Sequence, residues 1–439
     1  MNTSLHGRSH IQGAASAAAC LALVLGLTAC GGGGGNGPGA KRLNLVIGSS
    51  LPLSGIDGQL GASGRKASLL ALNQITSAAK EVGALHTVAL AERDQGSDSS
   101  SAVDSARKLV NNDGADCLTG PWSSDAVEQT ARDVAIPSKA LEISPVSMSS
   151  SVAELNDHDL VDSTALPQSL EGRALSDAIE MDLGGAQGKT VDVAAGSDSY
   201  GDTLSRDFIQ SWQGKDGTVG EQVTLAPAPV GSPAHPQAQA LSASGSDATV
   251  IIDELGGFLQ FAPALGGSSW DPSTAWGSDQ LLSPGLPGAV GPRSIEGMRV
   301  LAAGIPENQP ASTAFVDAFR AKGPRGVRLG PYAAQEFDAT ILCYLAAVAA
   351  GSTDGQRMAD ELVDITAPGG EGFSWQQLPA AVRALQDGKD IDYTGASGPL
   401  DMDIQGNPIS GVFDVYRYTG RGLKVAGGVS VSKPNPATP

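Results

Sequence analysis

The sequence predicts an α/β protein of two lobes, each a parallel sheet flanked by helices. Three observations lead there. Short apolar strands alternate with amphipathic helices at βαβ spacing. The alternation pauses after Ser144-Pro145 and starts afresh at Gly172. And 439 residues exceed what a single core usually organises.

The elements follow in order. Leu43–Gly48 is a compact apolar strand, and Ser49–Gly64, with glycines at 55, 58, 61 and 64, reads as a loop. Lys66–Ala79 has helical periodicity through Leu69, Leu70, Leu72 and Ile75. Thr87–Ala91 is a strand, and Ser101–Asn111 a helix with Val103, Ala106, Leu109 and Val110 on one face. Asp116–Thr119 is a strand running into Gly120-Pro121, Asp125–Val134 a helix, and Ala140–Ile143 a strand ending at Ser144-Pro145. The second series reads helix Gly172–Leu183, strand Thr190–Ala195, helix Asp202–Trp212, strand Ala248–Asp253 and helix Phe258–Leu265. Ala226–Ala240, rich in Pro and Ala, reads as a surface loop, and Trp270–Pro292 as a long Gly/Ser/Pro connection. Leu342–Gly351 is apolar but short for a membrane span and reads as part of a buried helix.

Charge narrows the partners. The formal net charge is −19, and residues 1–29 carry one formal charge, Arg8, so the rest of the chain is more acidic still. Such a surface disfavours nucleic acid and anionic lipid. Histidines beyond residue 29 are His86, His158 and His235, with no pair at metal-ligand spacing. No metal or cofactor is expected. Enzyme motifs are also missing. There is no Gly-x-Ser-x-Gly elbow. Gly188-Lys189-Thr190 lacks the earlier glycine of a phosphate loop, because Leu183 stands there. Binding is therefore favoured over catalysis. Cys117 and Cys343 stand far apart in sequence, and either two buried thiols or a disulfide fits them.

In parallel α/β sheets, ligands sit beyond the carboxyl ends of strands, beside loops and helix N-termini. Here these junctions are rich in hydroxyls: Ser123 and Ser124, the Ser144–Ser151 stretch with Ser147 and Ser149, and Ser197–Gly201. Hydroxyls and backbone N–H groups suit a carboxylate. The same residues equally suit helix N-capping.

The N-terminus carries a separate signal. Ala14–Ala29 is uncharged and of signal-peptide length. It closes on Leu27-Thr28-Ala29-Cys30, which resembles the lipobox of bacterial lipoproteins, where the cysteine is lipidated after cleavage before it. An ordinary secretory signal is the alternative. Gly31–Gly35 would then open a flexible tether spanning 30–41.

Eight segments, in order, resemble the type I periplasmic binding proteins, specifically the leucine/isoleucine/valine-binding branch that serves ABC transporters. They include Ile47–Gly55 with its Pro52-Leu53-Ser54-Gly55 loop, Ala106–Val110, Gly114–Ser124, Ile143-Ser144-Pro145 and Ser199-Tyr200-Gly201. Ile295–Met298, Phe337-Asp338-Ala339 and Tyr393–Asp401 complete the set. The resemblance implies two Rossmann-like lobes joined by a three-strand hinge. Lobe 1 would take 42–163 and 300–395, lobe 2 would take 164–299 and 396–430, and 431–439 would be a tail.

It further implies that a small ligand, an amino acid or similar carboxylate, is captured by hinge closure and delivered to a membrane permease. Ser123 or Ser124 would hold the ligand carboxylate. The family usually has Thr where Met148 stands, so Ser147 or Ser149 would supply the second donor. Tyr200 matches the family's aromatic wall, Leu60 replaces a second aromatic, Asp279 would pair with the ligand ammonium, and the strand end Asp253-Glu254-Leu255 would border the cleft. The expected protein is an exported, lipid-anchored binding protein on the outer face of the cell membrane. A sensor built on the same clamp is the alternative.

Overall fold

The computed structural model describes residues 42–96, 98–146, 152, 155–225, 236–322, 326–420 and 422–433. The signal segment with Cys30, the tether, and both Ser147 and Ser149 lie outside the described residues.

The first sheet is wholly parallel. It comprises β1 (Leu43–Leu51), β2 (His86–Asp94), β3 (Cys117–Thr119), β4 (Leu141–Ser144) and β5 (Val161–Ser163), in the order β2-β1-β3-β4-β5. Parallel pairing requires crossovers, and helices Gly58–Glu81 and Ser99–Asn111 supply two of them.

The second sheet has seven strands: β6 (Thr190–Gly196), β7 (Thr218–Leu225), β8 (Ala248–Ile252), β9 (Ala275–Gly277), β10 (Arg299–Ala303), β13 (Ser410–Thr419) and β14 (Gly422–Ser432). Its order is β14-β13-β10-β9-β8-β6-β7. This sheet is mixed where the sequence reading has it parallel, because the β13–β14 hairpin joins β10 antiparallel. A small parallel pair, β11 (Glu371–Ser374) and β12 (Ile391–Thr394), stands apart.

The chain passes between the two lobes three times: after β5 into the second sheet, after β10 to the helices and small sheet of the first lobe, and after β12 back to β13. The strand Arg299–Ala303 lies in the second sheet, so the return passage begins beyond residue 300. Likewise β14 takes in Val431 and Ser432, which the sequence reading gives to the tail.

Three local readings need correction. Most of Ser49–Gly64 is regular structure: β1 continues to Leu51, and a helix starts at Gly58. Gly61 and Gly64 serve close approach instead of a turn. A Cβ on Gly61 would sit 2.1 Å from the Pro52 carbonyl oxygen, and one on Gly64 would sit 2.5 Å from the Trp122 ring. Pro236–Ala243 is helical although its first half falls in the expected loop. The 270–292 connection contains β9, a central strand too short to show periodicity, and a short helix at Leu286–Val290.

The core of the first lobe forms around helix Ala333–Ala350, whose buried residues include Phe337, Ile341, Leu342 and Leu345. This helix is long and apolar enough to cross a membrane by length and composition, yet its residues are almost all buried in the protein. Cys343 on this helix and Cys117 on β3, both fully buried, form a disulfide that ties helix to sheet.

Candidate functional site

Strand ends of both large sheets face one cavity of about 670 Å³. The first sheet contributes Pro52, Asp57 and Leu60 after β1, Gln95 and Asp98 after β2, Trp122, Ser123 and Asp125 after β3, and Val146 after β4. The second contributes Glu254, Leu255 and Leu259 after β8, and Asp279, Gln280 and Leu282 after β9. Tyr332, just before helix Ala333–Ala350, completes the wall. The carboxyl ends of parallel strands are where open α/β sheets place ligands. The volume falls within the range of small-molecule sites.

Asp279 is the centre of the polar network. Its carboxylate accepts from Tyr200 Oη at 2.8 Å and from Tyr332 Oη at 3.1 Å. Its backbone N–H donates to Glu171 Oε1 at 2.8 Å. Tyr200 and Glu171 belong with Asp279 in the second lobe, whereas Tyr332 leads into the core helix of the first. The Tyr332–Asp279 bond therefore spans the two lobes. The Tyr332 ring meets Trp122 edge to face, with centroids 5.8 Å apart. Trp122 is anchored in turn: its backbone N–H donates to Gln95 Oε1 at 2.9 Å, and its indole Nε1 to the buried Glu336 at 3.3 Å. Ser49 and Thr119 also donate to Glu336, whose pKa burial raises to about 7.

The cavity is acidic. Asp57, Asp98, Asp125, Glu254 and Asp279 line it, and no Lys, Arg or His does among the described residues. Asp98 is already engaged as a helix N-cap, accepting from Ser101 N at 2.9 Å and Ser100 Oγ at 2.6 Å. Burial raises the pKa of Glu254 well above the ordinary glutamate value, and Asp125, Asp198, Asp279 and Asp253 raise it further. Burial, then Asp198 and Glu128, raise that of Asp125. Burial raises Asp57, against the Ser283 hydroxyl, which lowers it. Asp253 is raised to about 7 by burial and then by Asp198.

The residues expected from sequence distribute as follows. Leu60, Ser123 and Asp279 line the cavity. Ser123 also caps helix Ser124–Thr130, its Oγ accepting from Ala126 N at 3.3 Å, so the capping reading holds there beside the lining position. Ser124 is buried in the first turn and is not a lining residue. Tyr200 is fully buried behind Asp279 and does not line the cavity; its hydroxyl positions the carboxylate. Asp253 is buried one residue short of the lining Glu254.

Sequence reasoning did not single out Asp57, Trp122, Asp125 or Tyr332. The first three lie within six residues of the end of a parallel strand, so position after a strand was the available signal. Tyr332 lies in a Gly-Pro-Tyr segment with φ 62°, and nothing local in the sequence assigns it.

Comparison with known proteins agrees with this geometry. A family model described as periplasmic binding protein matches residues 44–407. A curated relative, the chemotactic signal transduction system substrate-binding protein BasB of Halobacterium salinarum, is 25% identical over 394 residues, covering 87% of this chain and 88% of its own. Among solved structures, the leucine-binding protein LivK of Thermotoga maritima superposes with a TM-score of 0.65 at 19% identity, over 89% of this chain and 99% of that one. A solute-binding protein of an ABC transporter from R. palustris, in complex with benzoate, gives 0.62 at 20% identity, over 90% and 98%. These solved structures share the two-lobed fold, and the family model spans most of the chain: the protein belongs to the periplasmic binding protein family.

Proposed function

We propose that this protein is an extracytoplasmic substrate-binding protein of an ABC importer, which captures an amino acid or a similar small molecule between its lobes by hinge closure. The observation that carries the reading is the interlobe cavity with Asp279 held from both sides, by Tyr200 within its own lobe and by Tyr332 from the other. An ammonium group placed at that carboxylate would be bound by charge-assisted hydrogen bonds in a site sheltered from water. Ser123, Ser147 and Ser149, with backbone N–H groups, are the proposed donors to a ligand carboxylate, and Leu60 the apolar wall. Asp253 and Ser124 act as supports of the site, and Tyr200 as a positioning residue.

Membership of the family implies a place outside the cytoplasm, and a disulfide is at home there. Anchoring through lipidated Cys30, after cleavage behind residue 29, is part of the proposal and rests on the Leu27-Thr28-Ala29-Cys30 signature. Mass spectrometry of the N-terminal peptide tests it directly: an acylated Cys30 is expected, and Cys30→Ala should release the protein from membranes.

A sensor reading has one specific support, the relative named for chemotactic signal transduction. In that reading the same clamp docks on a receptor instead of a permease. Thermal-shift screening of amino acids, amines and carboxylates tests the shared binding step, since a ligand selective for the folded state raises its melting temperature. Pull-down of the liganded protein with membrane partners separates permease from receptor.

A further inference from the structure

We propose that the ligand of this cleft carries a net positive charge, as a basic amino acid or a small diamine does. The inference rests on the solute-binding reading above and narrows its substrate class.

Three observations carry it. The first is the lining itself, with five carboxylates and no cationic side chain among the described residues. The undescribed stretch from Ser147 to Ser151, which follows the lining Val146, contains no Lys, Arg or His in its sequence.

The second is an orphaned group. Glu254 reaches the cavity, yet its Oε1 is buried and has no hydrogen-bond partner among the described residues. Asp57 Oδ1 is in the same condition on the other lobe. A buried carboxylate oxygen without a donor costs free energy that a bound cation would recover.

The third is where the charges sit. Asp125 belongs to the first lobe and Glu254 to the second, and both line the cavity, so each opposes ionisation of the other while the cleft is empty. In the empty cleft nothing compensates ionised carboxyls brought together from the two lobes. A cation between them reverses the sign of that interaction, so ligand charge itself would drive closure. A neutral zwitterion satisfies Asp279 with its ammonium but leaves Asp125 and Glu254 uncompensated. An anion such as benzoate meets repulsion from every charged side chain of the lining.

The test is calorimetric titration of the full folded chain with L-arginine, L-lysine and putrescine, against L-leucine, L-glutamate and benzoate. At least one cation should bind ~10-fold or more tightly than L-leucine, with affinity falling as salt is raised. Glu254→Gln and Asp125→Asn should each weaken that cation by ~10-fold or more, and by clearly more than they change L-leucine affinity. The basic amino acids and putrescine are separate arms: preference for the former assigns a role to the carboxylate donors, preference for the latter excludes one. Tighter binding of L-leucine or benzoate than of any cation would overturn the charge inference and leave solute capture standing. Unchanged cation affinity in both variants would overturn it as well. Binding of no compound at all would count against both this inference and the reading beneath it.

Discussion

Replacing Tyr332 with Phe should weaken ligand binding, whereas the same change at Tyr200 should weaken the fold. Both hydroxyls donate to the carboxylate of Asp279, at 3.1 and 2.8 Å. Their positions differ: Tyr200 shares a lobe with Asp279, and Tyr332 comes from the other. A hydrogen bond to a charged acceptor contributes about 1.5–3 kcal/mol. Tyr332→Phe removes that from the state in which the lobes meet. The loss should appear in Kd as a factor of about 10 to 150, with the ring still packed on Trp122. Tyr200→Phe removes a similar amount from a fully buried contact present whether or not the lobes close. It should lower the melting temperature and leave Kd within about twofold. Titration calorimetry and unliganded thermal melts of both variants provide the comparison. Wild-type affinity for Tyr332→Phe, or an equal affinity loss for Tyr200→Phe, would refute the assignment of one bond to closure and the other to support.

Three further outcomes follow from the same contacts. Burial and neighbouring carboxylates hold the Glu254 pKa well above 4.5, so its folded form keeps a proton that the unfolded form releases. Its contribution to stability is complete below about 4.5 and is lost as pH rises through the folded value; Glu254→Gln should therefore raise the melting temperature at pH 8 and lose that advantage towards pH 4. A pH-independent difference would contradict this. The Cys117–Cys343 bridge spans 226 residues of sequence, for which chain entropy gives roughly 5 kcal/mol, or about 6 °C for a chain of this size. The double Cys→Ser variant should melt lower by about that amount, and an unchanged scan would contradict the bridge. Gly64→Ala would bring a methyl to 2.5 Å from the Trp122 ring. It should cost about 1–3 kcal/mol of stability and shift the tryptophan emission; a wild-type spectrum and melt would show that the wall yields freely.

The fold was legible wherever apolar residues repeat along a strand or helix. The first four strands of the first sheet and the helices between them follow directly from composition and spacing. β9 was not, because Ala275-Trp276-Gly277 is too short to carry a period and owes its place to pairing with β8 and β10. The β13–β14 hairpin was missed because glycines and one lysine interrupt its second strand. The glycines at 61 and 64 look like a loop in sequence, and only the approach of Pro52 and Trp122 shows why a helix needs them. At the site, Leu60, Ser123 and Asp279 could be named through the resemblance to the leucine/isoleucine/valine-binding branch, since β9, which precedes Asp279, carries no signal of its own. Hydroxyl chemistry could not separate capping from binding, since Ser123 does one and faces the site of the other. Nor could a linear reading find Tyr332, brought to Asp279 from 53 residues away by the chain's return to the first lobe.

Small-angle scattering of the protein with and without its saturating ligand tests the central claim most directly. One ligand per chain and a smaller radius of gyration on binding are the expected results, with Tyr332→Phe needing more ligand to reach the compact form. Binding that leaves the scattering profile unchanged would contradict capture by closure of the two lobes.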